Sequence, residues 1–283
     1  MTVINTNISA SITQNALSKN ERAMAKTMEQ LSTGKRVNSA ADDAAGLAIV
    51  SRMTSQITGL KQAVRNANDA ISMIQTADGA LIEVTNLLQR MREIAVQAVS
   101  DTNTATDRDY LNLEFTQLRA EVERIADNTQ WNGENVLDGS GGASSDGAYT
   151  FQIGANASQT VSITIADFQL DQTDGLGAAN DISGINVDTA ALATTALGKL
   201  DTAIESVSSE RATMGSVMNR LEHAADNLTN VATNAEASRS RVEDADYAAA
   251  TTELARTQII AQAATAMLAQ ANQVGQNVLS LLK

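Results

Sequence analysis

Few residues of this 283-residue chain belong to types that do chemistry, and fewer still are spaced to do it together. The only histidine is His223, in "NRLEHAADN", and there is no cysteine. A zinc site draws on several imidazoles or thiolates, so His223 by itself reads as a solvated histidine on a helix. Asp42 and Asp43 are adjacent carboxylates that could be imagined as a catalytic pair. Neighbours on a helix point about 100° apart, so cap and helix-dipole roles fit them better. There is no HExxH, no GxSxG and no phosphate-binding glycine loop. The triplets "NIS", "NAS" and "NLT" are chance matches in a chain rich in Asn, Ser and Thr. The expectation is no catalytic, cofactor-binding or metal-ligating residue, and no cofactor.

Composition narrows the partners and the core. Thirty-three acidic side chains against twenty basic ones give a net charge of −13. The first 36 residues carry five basic and two acidic side chains, and residues 239–283 balance. The middle therefore holds all of the excess negative charge, which argues against binding nucleic acid through its phosphates. No apolar run approaches the roughly 18 residues of a membrane span, and no cleavable signal peptide is visible. With one Trp, three Tyr, three Phe and no Pro, the core must come from Ala, Val, Leu, Ile and Met. That composition favours long packed helices.

The elements follow from the spacing of those residues. Ile4, Ile8 and Ile12, then Met24, Met28 and Leu31, form an apolar stripe on a first helix. Gly34 is placed to end it in a left-handed turn. In "NSAADDAAGLAI", Ser39 with Asp42 three residues later reads as a capping box. From about 40 to 100 the pattern is a heptad seam through Ile57, Leu60, Val64, Ile71, Ile74, Leu81 and Leu88, with one stammer. A shorter helix carries Leu111, Phe115, Leu118, Val122 and Ile125. "WNGENVLDGSGGASSDG" ends the helical periodicity. Tyr149, Phe151 and Ile153, then Val161, Ile163 and Ile165, alternate as a β-hairpin, and residues 166–188 read as loop. A second long seam runs through Leu200, Ile204, Met214, Leu221 and Leu228, with Arg211 and Arg239 in two of its slots. After "SRVEDADY" a last stripe passes through Met267, Val274 and Val278, with Leu279, Leu281 and Leu282 at the terminus.

The predicted fold is mainly α: a long antiparallel coiled coil or helical bundle with the N- and C-termini paired, plus a small β-hairpin. Its parts are residues 1–38 and 241–283 as the two halves of a terminal domain, residues 39–188 as the first part of a coil domain with the hairpin at about 148–166, and residues 189–240 as its second long helix. Two terminal helices paired alone bury only part of each stripe. The ends are therefore expected to order when neighbouring copies cover them.

Read along its whole length, the sequence resembles bacterial flagellin. The resemblance runs through "INTNISAS", "MEQLSTGKRVNSAADDAAGLAI", "RNANDAISMIQTADGAL", "LLQRMREIAVQA" and "NTQWNGENVLDG", and returns at "SRVEDADYAAATTELARTQI" and "AMLAQANQVGQNVLSLLK". It implies a structural subunit that polymerises into the flagellar filament for swimming, exported unfolded by the type III route without a cleaved signal and located outside the cell. Terminal helix packing would drive assembly, with Ile4, Ile8, Ile12, Met24, Met28, Leu31, Met267, Val274, Val278, Leu279, Leu281 and Leu282 as the assembly residues. The terminal leucines would bury against Ile4, Ile8 and Ile12 and against neighbouring copies. Since only residues 166–188 stand where longer relatives carry outer domains, a short form without them is expected.

The resemblance also implies partners: other copies of the chain, an export chaperone, hook-associated proteins, and the filament cap. Nucleic acid and membrane are not among them. Toll-like and cytosolic innate immune receptors read members of this family. Gln89, Arg90, Glu93, Ile94 and Gln97 match the Toll-like receptor motif, as does Glu114, while Leu118 stands where the familiar pattern has arginine and Arg119 follows. Leu279, Leu281 and Leu282 would be read by the cytosolic receptor. The alternative is a hook–filament junction protein of the same superfamily. A chemoreceptor-type signalling hairpin is opposed by the strand alternation at 149–165.

Overall fold

The computed structural model of the chain describes residues 7–142, 145–170, 182 and 184–280, without the side chains of 274–280. The order of elements is α1 (Ile8–Thr33), α2 (Ala44–Val99), α3 (Ala105–Asn128), β1 (Gln130–Trp131), β2 (Glu134–Asn135), β3 (Ala148–Gln152), β4 (Thr160–Thr164), α4 (Ala190–Glu243) and α5 (Tyr247–Ser280). The chain forms two compact units, one from residues 1–57 with 233–283 and the other from residues 58–232. α2 and α4 each contribute to both.

In the larger unit the core is a strip of small and medium aliphatic side chains. Leu81, Val84, Leu88 and Met91 of α2 are fully buried, as are Leu200, Ala203, Val207, Met214 and Leu221 of α4. Phe115, Val122 and Ala126 of α3 join the same cluster. The three-and-four spacing keeps one face of each helix turned inward over many turns, which is what the seam requires. Leu60 and Ile74 are also buried, while Val64, Ile71, Ile204 and Leu228 are half-buried at its margin. Salt bridges tie α2 to α4 along the seam, from Arg92 to Asp201 at 2.5 Å and from Arg211 to Asp78 at 2.7 Å. Arg211 is thus held in its slot by a carboxylate. The order of these two bridges along the chain makes the helices antiparallel.

α3 begins with a reciprocal cap. Thr104 accepts the Asp107 amide, and the Asp107 carboxylate accepts the Thr104 amide at 2.9 Å. Beyond α3, β3 and β4 pair antiparallel with Tyr149 opposite Ile163 and Phe151 opposite Val161, the register that the alternation demands. A second antiparallel pair, β1–β2, was not expected from the sequence. Its turn is Asn132-Gly133, both at positive φ (52° and 85°), the geometry that an Asn-Gly hairpin favours. That dipeptide was the available signal.

The segment read as a polar loop is corrected in part. Among its described residues, Phe168, Leu170, Ile182, Ile185 and Val187 are buried in the core cluster. Hydrogen bonds hold them there: Gln169 Nε2 donates to Asp127 at 2.6 Å, the Val187 amide to Asn112 at 3.0 Å, and Arg119 to the Ile185 carbonyl at 3.2 Å. Five apolar residues scattered among Gly, Asp and Gln show no period, so pattern reading passed over them.

Leu88→Ala should lower the stability of this unit by about 2–5 kcal/mol, because Leu88 is fully enclosed. Ile82→Ala, at a site 40% exposed, should change it by about 0.5 kcal/mol or less. Urea unfolding followed by the single tryptophan, Trp131, checks both; equal losses would mean that the seam is not the core.

Candidate functional site

The smaller unit places its apolar side chains in an unusual way. α1 lies along α5, and the residues that face the partner helix follow the three-four repeat: Thr13, Leu17, Asn20, Met24, Thr27 and Leu31 on α1. Those on α5 are Ala250, Leu254, Thr257, Ala261, Ala264, Leu268 and Ala271. The most enclosed members are Thr257, Thr27, Ala250 and Asn20, three of them polar. Asn20 Nδ2 donates across the seam to the Thr257 carbonyl at 2.7 Å, while the Thr27 and Thr257 hydroxyls bond within their own helices at 2.9 Å. Satisfied in this way, the polar groups escape the full desolvation penalty.

Several larger apolar side chains lie outside that seam. Ile8, Ile12 and Met28 of α1 are 60%, 65% and 53% exposed, and Ile259 and Met267 of α5 are 66% and 64% exposed. The expected stripe therefore divides. Met24 and Leu31 sit on the seam, whereas Ile8, Ile12 and Met28 do not. Successive steps of four rotate about 40° per step relative to the helix, so Ile8 and Ile12 drift off a face that needs alternating threes and fours. Ile4, Leu281 and Leu282 lie outside the described residues, as do the side chains of Val274, Val278 and Leu279.

The breaks at the inner ends of α1 and α5 bind one another. Gly34 ends α1 at φ 70°, donating to the Gln30 carbonyl at 2.9 Å. Its own carbonyl accepts the Ala245 amide at 2.9 Å, and the Arg36 amide donates to the Glu243 carbonyl at 2.6 Å. Side chains reinforce this: Lys35 pairs with Glu243, Arg36 donates to the Val242 carbonyl at 2.6 Å, and the Tyr247 hydroxyl donates to the Leu31 carbonyl at 2.7 Å. Arg239 lies 3.5 Å from Glu243 and 3.4 Å from Thr54 Oγ1, so the second charged seam slot is also held. Ile57, on the same unit's stretch of α2, is buried. The sequence showed two charged breaks; their complementary signs were the signal that they meet.

The cap role read for Asp42 and Asp43 falls to Asp43 alone. Asp43 caps α2, accepting the Gly46 amide at 2.8 Å. Asp42 closes the turn before it, accepting the Ser39 amide at 3.0 Å and hydroxyl at 3.1 Å and pairing with Lys26 at 2.8 Å. Ser39 is thus a donor to Asp42 rather than the helix cap, because α2 starts at Ala44, one residue beyond Asp43. The Lys26 ammonium, followed by the Ser39 donors, holds the Asp42 carboxyl down at about 2.

In the larger unit, Arg90 is forked between Glu93 at 2.9 Å and Glu114 at 2.8 Å. Both carboxylates, Glu114 foremost, strengthen its hold on its proton. Gln89, Arg90, Glu93, Gln97 and Glu114 are exposed, but Ile94 is 1% exposed and belongs to the core. Leu118 and Arg119 are half-buried, and Arg119 is turned to the Ile185 carbonyl. His223 is exposed on α4. No cluster of three metal-ligating side chains occurs among the described residues.

A group whose carboxyl is depressed on folding adds stability above its unfolded value, near 3.8, and loses it as pH falls toward about 2. Asp42→Asn should therefore lower the melting temperature of the helices at about pH 5, and the gap should close by about pH 2. Thermal circular dichroism at both values checks this; a gap that persists in acid would mean that the charge on Asp42 is not what holds the turn.

Comparison with known proteins agrees with this architecture at both ends of the chain. Residues 4–141 match the family model described as bacterial flagellin N-terminal helical region, and residues 197–282 match that of the bacterial flagellin C-terminal helical region. The chain is 42% identical over 286 residues to Flagellin FlaB2 of Treponema pallidum (strain Nichols), covering 99% of this chain and 100% of that one. It is 44% identical over 303 residues to Flagellin of Bacillus subtilis (strain 168), covering 99% of each. A third relative, 41% identical and covering 99% of this chain and all of its own length, is the Flagellar filament 33 kDa core protein of Treponema phagedenis. Coverage of short relatives from end to end fits a form without added outer domains, and the hook–filament junction alternative is not favoured. The chain belongs to the bacterial flagellin family, the family of flagellar filament subunits.

Proposed function

We propose that the chain polymerises into the extracellular flagellar filament by covering the apolar outer faces of its terminal helix pair with those of neighbouring copies. The observation that carries this reading is the division of apolar side chains in the smaller unit: the most enclosed seam positions hold Thr257, Thr27, Ala250 and Asn20, while Ile8, Ile12, Met28, Ile259 and Met267 stand in solvent. Exposed aliphatic side chains at this density mark an interaction surface. A seam held by Asn20, Thr27 and Thr257 leaves the pair dependent on that external cover. The role is mechanical, with no reaction catalysed.

The remaining assembly residues, Ile4, Val274, Val278, Leu279, Leu281 and Leu282, would extend the same surface toward the termini. Before assembly an export chaperone would shield the C-terminal segment, and hook-associated proteins and the filament cap would bound the polymer. The exposed Arg90 fork with Gln89, Glu93, Gln97 and Glu114 is a polar surface suited to a Toll-like receptor, with Ile94 supporting it from the core side. The terminal leucines would serve the cytosolic receptor.

A chain lacking residues 261–283 should not form tubes, and Ile12→Ser with Met267→Ser should slow polymerisation of the full chain. A loss of about 1.5–3 kcal/mol for each large aliphatic no longer buried is the scale expected. Light scattering with electron microscopy checks both. If the shortened chain polymerises as the full one does, the terminal pair is not the assembly element.

A further inference from the structure

The β1–β2 turn contains a chemistry that the filament role does not use. Asn-Gly occurs once in the sequence, at Asn132-Gly133. Both residues are exposed and both stand at positive φ, 52° and 85°. A side-chain carbon at Gly133 would meet no atom within 4 Å, so no other element packs against that side of the turn. Asn132 makes no side-chain hydrogen bond among the described residues, and the strands that flank it are two residues each. Little therefore resists the backbone rotation that brings the Gly133 nitrogen to the Asn132 side-chain carbonyl carbon.

The aspartate-glycine steps among the described residues offer a contrast. Asp78 lies within α2 and is paired with Arg211 at 2.7 Å. Asp138 accepts from Asn135 at 2.8 Å and from Ser140 at 3.0 Å and 2.8 Å. Asp146 accepts the Ala148 amide at 3.1 Å. Each carboxylate is held away from its own following nitrogen by a partner. The Asn132 side chain, by contrast, has no such partner among the described residues.

We propose that Asn132-Gly133 is a self-modification site at which the folded chain deamidates and isomerises to isoaspartate. The Gly133 nitrogen, on losing its proton, attacks Cγ of Asn132. The new C–N bond closes a five-membered succinimide as the side-chain nitrogen leaves with the proton as ammonia. Water then adds to either ring carbonyl and opens the ring, giving aspartate or isoaspartate. No oxidant or reductant takes part. The isoaspartate product carries one extra methylene in the main chain of a two-residue turn and a new carboxylate two residues from Glu134. The Gln130–Asn135 and Trp131–Glu134 register fits a two-residue turn and would not survive the insertion. Val136 and Leu137, buried just beyond β2, would lose that alignment.

The test is to incubate the full native chain at mildly alkaline pH and 37 °C, digest it after glutamate, and follow the Arg124–Glu134 peptide by mass spectrometry. Methylation by an isoaspartate-specific methyltransferase then reports the isomer. Conversion at Asn132 should outrun that at every other asparagine by about tenfold or more, since glycine leaves the attacking nitrogen unhindered. Asn132→Gln, which would need a larger ring, should leave the peptide unchanged and unmethylated. Conversion seen only after denaturation in urea would overturn the proposal, because the folded turn would then be protecting the site. Equal rates at Asn132 and at the other asparagines, or no conversion in either state, would overturn it as well.

Discussion

A core with almost no aromatic side chains is the constraint from which the rest of this molecule follows. An aromatic residue buries a large area at one point; Ala, Val, Leu and Met bury little each and must be used many times. The chain does this by running two helices of 56 and 54 residues, α2 and α4, and by repeating small aliphatic side chains along one face of each. Helices that present alanine can approach closely, so dispersion contacts replace the bulk that phenylalanine would supply. Three aromatics do join the core, Phe115 on α3, Phe168 in the connecting segment and Tyr149 on the hairpin, all buried. Proline would have broken either helix, and there is none.

The two units solve the problem of polar groups differently. In the larger one, charged side chains at the seam are paired across it, as Arg211 is with Asp78, and the apolar residues go inward. In the smaller one, Asn20, Thr27 and Thr257 sit among the most enclosed seam positions and bond to nearby carbonyls, beside half-buried Leu17, Met24, Leu31, Leu254 and Leu268, while Ile8, Ile12, Met28, Ile259 and Met267 face out. The first arrangement is that of a self-sufficient core. The second is the arrangement from which the assembly surface is proposed. The backbone contacts between Gly34 and Ala245 and between Arg36 and Glu243 fix where the pair begins.

Periodicity made the helices legible because a three-four repeat over dozens of residues has no other stable reading. It also gave the hairpin strands and the face each turns inward, since alternation leaves one choice of face. It failed where apolar residues were sparse and unspaced, as at Phe168, Leu170, Ile182, Ile185 and Val187, whose burial depends on the core cluster they join. It failed in a second way at Ile8 and Ile12. They are apolar and helical, but a spacing of fours does not say which helix face the partner will choose.

The sequence by itself thus determined the long helices, the left-handed stop at Gly34, the β3–β4 pairing and the membership of the family, because each rests on local spacing or on an ordered set of motifs. Which residues fill the α1–α5 seam, that Asp43 rather than Ser39 caps α2, that the two charged breaks bind each other, and that Ile94 turns inward while its motif neighbours turn out were decided only by tertiary structure. Each of these depends on a contact between residues far apart in the chain, or on a shift of a helix start from just after Ser39 to Ala44. Local propensity carries no information about either.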